Sequence, residues 1–134
     1  SVTTHPLSMT GSDGLPHNER PHPRLWGAFP RVLATYWRER GLLPLEQAIH
    51  KMSGMSATRF RIPERGLLRA GYMADVVVFD PKTVRDAATF EQPRQRSEGI
   101  ESVWVNGALS YGAATGATAT RAGRFVKRAG AASR

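Results

Sequence analysis

Residues 1–28 hold the densest set of side chains able to bond or titrate. Asp13 stands between Ser12 and Gly14, Arg24 follows, and His5, His17 and His22 are interleaved with Pro6, Pro16, Pro21 and Pro23. Pro16, Pro21 and Pro23 forbid a regular helix there, because proline lacks the N–H and fixes φ. The segment therefore reads as a long polar loop, the kind of connection that carries functional groups. On its own residues a flexible leader is the simpler account. His-rich loops can bind metal, which makes His17 and His22 candidates, although shaping the loop or touching a ligand asks less of them. His5 precedes a proline and carries no readable signal.

Such a loop needs elements to hold it. Phe29, Val32, Leu33, Tyr36 and Trp37 fall at helical spacing and predict a helix over 29–40 with one apolar stripe. Pro30 suits its first turn, and Gly41 suits its stop. Tyr36 and Trp37 read as core residues packing on a sheet. A second helix is expected at about 44–53, with Pro44 at its first position and Leu45, Ala48, Ile49 and Met52 on one face; His50 lies beside that stripe as a surface or packing residue. A short turn over Ser56 to Phe60 follows. Beyond Pro63 glycines punctuate β-branched runs. Val76-Val77-Val78-Phe79 is a continuous apolar run, expected to be a strand buried on both faces, and Asp80-Pro81 ends it. Val103-Trp104-Val105 reads as a strand, Asn106-Gly107 as a hairpin turn, Leu109 to Tyr111 as its return and Arg124-Phe125-Val126 as a last strand. Residues 112–120, rich in Ala, Gly and Thr, read as a loop. The change from helical to β character lies near residue 62, and each part seeks a partner surface, a hint of truncation.

Composition narrows the class. A chain of 134 residues with 40% hydrophobic residues can build a core and is not a disordered tail. Without cysteine it has no disulfide, thiolate ligand or cysteine nucleophile, which is compatible with the cytoplasm. No apolar run approaches bilayer-spanning length. The net charge of +8 invites nucleic acid, but Glu101 is the last acidic residue, and Arg121, Arg124, Lys127, Arg128 and Arg134 make a solvated basic end. The first residue is not Met, which fits a segment cut from a longer chain.

Two sets of motifs resemble known proteins. Gly66-Leu67-Leu68-Arg69-Ala70-Gly71-Tyr72-Met73-Ala74-Asp75-Val76-Val77-Val78-Phe79-Asp80, with the later Val103-Trp104-Val105-Asn106-Gly107, resembles the segment in which amidohydrolases leave their barrel for a small β-sandwich. Gly11-Ser12-Asp13-Gly14-Leu15-Pro16-His17, His22-Pro23-Arg24-Leu25-Trp26-Gly27, Phe29-Pro30-Arg31-Val32-Leu33 and Ala88-Thr89-Phe90-Glu91-Gln92-Pro93 are similar to the N-acyl-D-amino-acid deacylase (D-aminoacylase) branch. The matches run in order from about His5 to Gly107.

The resemblance implies an α+β fragment. Residues 1–62 would be the end of a metal-dependent (β/α)8 barrel, with Ser12-Asp13-Gly14 ending its eighth strand and the two helices in its outer layer. Residues 63–134 would be part of a β-sandwich with a basic tail. It implies a hydrolase of carbon–nitrogen bonds in linear amides that uses zinc to lower the pKa of water to roughly 7. Asp13 takes the place of the catalytic carboxylate, moving the proton from water to the leaving amine, and is a possible metal ligand. Gly14 would let the backbone turn sharply behind it. Arg24 is the candidate for gripping the substrate carboxylate with its planar fork; the alternative is that it caps a neighbouring loop or pairs with Glu19. The implied partners are a small N-acyl amino acid and the missing barrel or a homologous chain, with neither nucleic acid nor membrane. No His-x-His pair or upstream ligand is present, so the segment alone is expected to bind no zinc tightly and to be inactive. A dihydropyrimidinase-like amidohydrolase and a non-catalytic basic module stay open as alternatives.

Overall fold

The structure, a computed structural model, describes residues 2–15 and 19–130. Its first regular element is α1, Arg24–Arg31, which runs directly into a π-helix, π1, Val32–Glu39. The helical rod thus starts before the expected residue 29, and Pro30 lies inside α1 rather than in a first turn. Pro30 has no N–H to give to the carbonyl four residues back, and its ring crowds that carbonyl. The Ser97 hydroxyl reaches that oxygen instead, donating to Trp26 O at 3.4 Å. Just beyond, the helix widens: Arg40 N donates to Thr35 O and Leu42 N to Tyr36 O, five and six residues back. Such π-turns often absorb a local disruption within a helix. Gly41, at φ 56, then stops the rod, as its position suggested. Helix α2, Leu45–Met52, follows, with Pro44 as its N-cap in extended conformation rather than its first helical residue. Helix α3 spans Gly54–Arg59. None of the described helices is long and apolar enough to cross a membrane.

The second part is a four-stranded antiparallel sheet in the order β1 (Val76–Phe79), β2 (Ile100–Val105), β3 (Ala108–Gly112) and β4 (Gly116–Ala117). Asn106 and Gly107, at φ 48 and 81, make the hairpin turn between β2 and β3, the backbone such a turn demands. Strand β4 falls in the stretch expected to be loop. Residues 124–126 form no strand; their segment is held by Ala122 O, which accepts from Asn106 Nδ2, and by Ala129 N, which donates to Arg61 O. β1 is not buried on both faces: Val77 is 52% and Val78 42% exposed. Among the described residues β1 pairs only with β2, and no second layer covers its outer face.

The two parts share one core. Val32, Leu33, Leu43 and Ala48 from the helical part enclose Val84, which follows β1; Tyr36, Leu45, Met52, Phe79 and Ile100 pack around them. Arg38 fastens the junction by donating to Pro81 O at 3.0 Å and Val84 O at 2.8 Å. Burying a valine as completely as Val84 contributes about 1.5–3 kcal/mol. Residues 8–15, which include the Ser12-Asp13-Gly14 expected to end a barrel strand, have no strand geometry. A strand exists through its ladders, and the described residues offer this segment one backbone bond to a distant part of the chain, from Thr10 N to Lys51 O at 3.2 Å.

Candidate functional site

Asp13 and Arg24, singled out separately, meet. Arg24 Nη2 lies 3.0 Å from Asp13 Oδ2, with the aspartate side chain 81% and the arginine 40% exposed. This replaces the expected alternative partner: the guanidinium does not pair with Glu19, whose backbone oxygen instead accepts from Arg94. The sharp turn falls on Asp13 itself, at φ 47, and not on Gly14. Aspartate tolerates this left-handed conformation better than most residues, and the Gly14 N–H donates to Ser12 Oγ at 3.4 Å across the bend. Gly14 has another use. A Cβ there would lie 2.6 Å from Leu25 Cδ1 and 3.0 Å from Leu25 Cα, so its missing side chain lets the loop press against the start of α1 and brings Asp13 to Arg24.

Beside the pair is a shallow depression of about 380 Å³, lined by His22, Arg24, Arg31, Asp86, Ala88 and Phe90 among others. His22 accepts the Arg24 backbone N–H on Nδ1 at 3.0 Å and meets Phe90 edge-on, with ring centroids 4.9 Å apart. Its Nδ1 is therefore engaged at the start of α1. The far wall is the turn after Asp86. Arg31 Nη1 holds Asp86 Oδ2 at 3.0 Å, and Gly27 permits the approach, since a Cβ there would sit 2.7 Å from Asp86 Cβ. The turn is closed by Thr89 N to Gln92 O and Gln92 N to Thr89 Oγ1. Glu91 is held below the ordinary carboxylate range by its own backbone N–H and by the Thr89 hydroxyl. Arg24 Nε is buried and has no hydrogen-bond partner among the described residues.

The donor set does not fit a complete metal centre. Among the described residues no group of three or more His, Asp or Glu side chains could hold a metal ion, and Asp13 Oδ2 already bonds a guanidinium. His5 accepts the Leu7 N–H on Nδ1 within an N-terminal turn, and His17 lies outside the described residues. The sequence reading missed three residues at or beside the site. Asp86 and Phe90 lie far along the chain from Arg24, and only Phe90 fell within a recognised motif. Lys51 is 2% exposed, although a lysine on a helix ordinarily signals solvent.

Comparison with known proteins gives the family. The amidohydrolase family profile matches residues 1–111. A D-aminoacylase of Alcaligenes xylosoxydans xylosoxydans is 58% identical over 124 residues, covering 92% of this chain and 25% of its own length. The crystal structure of a D-aminoacylase said to define a novel subset of amidohydrolases superposes with a TM-score of 0.87 at 57% identity, over 90% of this chain and 25% of that one. An N-acyl-D-glutamate deacylase from Bordetella bronchiseptica, complexed with zinc and a phosphonate mimic of the tetrahedral intermediate, superposes with a TM-score of 0.79 at 55% identity, over 81% of this chain and 23% of its own. The chain spans about a quarter of the length of these relatives. With motifs, fold and profile in agreement over most of its residues, this chain belongs to the amidohydrolase family.

Proposed function

We propose that these residues serve a metal-dependent deacylase that hydrolyses N-acyl-D-amino acids to a D-amino acid and a carboxylate. The observation that carries the reading is the 3.0 Å contact between Asp13 and Arg24. In an N-acyl amino acid a single carbon separates the amide nitrogen from the carboxylate. An enzyme for such a substrate therefore needs its acid–base group and its carboxylate receptor side by side, as these two are. The substrate carboxylate takes the Arg24 fork in place of Asp13. Asp13, released, accepts a proton as water oxygen bonds to the acyl carbon. It then delivers that proton to the amine nitrogen as the carbon–nitrogen bond breaks. The names of the D-aminoacylase and deacylase relatives support the substrate class.

In this reading residues 1–62 belong to the end of the barrel and residues 63–134 to the β-sandwich of a cytoplasmic enzyme. The whole protein uses a metal, read as zinc from the zinc-complexed relative. Asp13 is the one ligand these residues would offer, and the rest of the set would come from outside them. The test is Arg24→Lys in the deacylase chain carrying this segment. Lysine keeps the charge and loses the planar fork. Losing one charge-assisted bond costs about 1.5–3 kcal/mol, or roughly 10- to 150-fold in kcat/KM. The loss should fall on an N-acyl-D-amino acid and spare its amide-capped analogue, which has no carboxylate. Equal losses on both would mean that Arg24 only holds the loop.

A further inference from the structure

Lys51 is a charged side chain, 2% exposed, that the reaction above does not use. An ammonium has three N–H donors and no acceptor, and Lys51 Nζ has three oxygens: His5 O at 2.5 Å, Ser8 O at 3.0 Å and Ser8 Oγ at 2.9 Å. None of the ion pairs among the described residues involves it. Its contacts all go to a single short stretch of chain, which is itself knotted: His5 N donates to Val2 O, and Ser8 N and Ser8 Oγ both donate to His5 O. The Lys51 backbone adds a bond on the same side, accepting from Thr10 N at 3.2 Å. Both ends of one residue of α2 thus grip residues 5–10, and the chain leaves this grip three residues before Asp13. Burying an ammonium is costly unless its donors are all satisfied. The segment and the lysine therefore hold each other in one arrangement.

We propose that Lys51 is the positioning residue of the site: it fixes the segment that carries Asp13 against α2, while Gly14 seats the other side of Asp13 on α1. The proposal rests on the deacylase reading for its kinetic consequence but not for its structural one. The test replaces Lys51 with Met, and with Gln should Met prevent folding, in the full chain carrying this segment. Lys51→Arg accompanies them, because it retains several donors. Hydrogen–deuterium exchange is followed separately for residues 5–15 and for α2 and α3. The expected result is faster exchange in residues 5–15 with the helices unchanged, and partial recovery in Lys51→Arg. Per folded active site, kcat should fall roughly 10- to 100-fold, the scale of a slight misplacement of a reacting group, with KM nearly constant because Arg24 is untouched. Unchanged exchange in residues 5–15 overturns the proposal. So does exchange that rises equally in α2, or kcat per folded site that stays at wild type. A wild-type chain without deacylase activity would sink the proposed function alone, since the exchange pattern still decides the role of Lys51.

Discussion

Asp13 combines two properties that a spectator residue has no reason to combine, a left-handed backbone and a carboxylate aimed at a guanidinium. The left-handed region costs an ordinary L-residue about 1–2 kcal/mol, and Asp and Asn are the side chains that relieve it by local hydrogen bonding. Asp13→Asn therefore keeps the turn and the shape while removing the group that accepts a proton. On the proposed deacylase function, the expected outcome in the full chain carrying this segment is a melting temperature close to wild type and a loss of turnover of roughly 100- to 10,000-fold. Turnover within a few-fold of wild type would show that the proton moves elsewhere. Both members of the pair were singled out because each sits in a short motif that resembles the deacylases; on residue types alone a flexible leader was the simpler account. Their contact was not legible, since nothing in residue types states that a loop and a helix start will touch. The role first given to Gly14 shows the same limit: glycine announced a special backbone, but the requirement is closeness to Leu25, and the strained φ belongs to its neighbour.

At the scale of elements, the site is a loop clamped between α1 and α2, so the clamp can be tested without touching a polar group. Gly14→Ala adds one methyl where Leu25 Cα and Cδ1 leave no room. Leu25 Cδ1 can swing away, but its Cα is backbone, so the loop must retreat. We expect kcat/KM in the parent to fall roughly 10- to 100-fold, while the melting temperature changes little because the displaced loop is largely exposed. A melting temperature that collapses together with activity would mean that the contact supports the fold and not the site. Periodicity read the elements well where side chains faced one way throughout: α2 and the β2–β3 hairpin lie where apolar spacing and Asn106-Gly107 put them. It failed at Pro30, because a stripe of five apolar residues fits a helix of either width, and a proline that suits a first turn can also sit inside a helix whose freed carbonyl finds Ser97. It failed at β4 because two residues are too few for any pattern.

For the whole molecule, carboxylates outside the site contribute to its response to acid. Asp80 is held below its ordinary value by the Lys82 backbone N–H and the Thr83 hydroxyl, which cap the turn after β1. Glu98 is held below its own by the Arg85 guanidinium, which grips both its oxygens and is itself raised by that contact. A carboxylate with a depressed folded pKa contributes stability above its unfolded pKa, and that contribution is lost as pH falls through the folded pKa. The urea midpoint should therefore be level near neutrality and decline as pH drops below the ordinary carboxylate range. Asp80→Asn should lower the plateau and flatten the decline; an unchanged acid limb would show that the Asp80 cap contributes nothing. The two halves were legible as a change of pattern near residue 62, but their shared core was not. Val84 belongs to no periodic run, and only the fold reveals that it is buried among side chains from π1 and α2.

β1 has one partnered edge, and Val77 and Val78, neighbours that point to opposite faces of the strand, are both exposed to solvent. Four consecutive apolar residues of high β-propensity on an open edge form a template for another strand, the hazard that leads sheets to self-associate. The run is bracketed by Asp75 and Asp80, and charges at such positions act as gatekeepers against stacking. The carboxylate that caps the turn after β1 thereby also guards solubility, and protonating it removes both protections together. Strand-wise addition of one copy to another is therefore expected to start at the Val76–Phe79 edge, and neutralising Asp80 is expected to favour it.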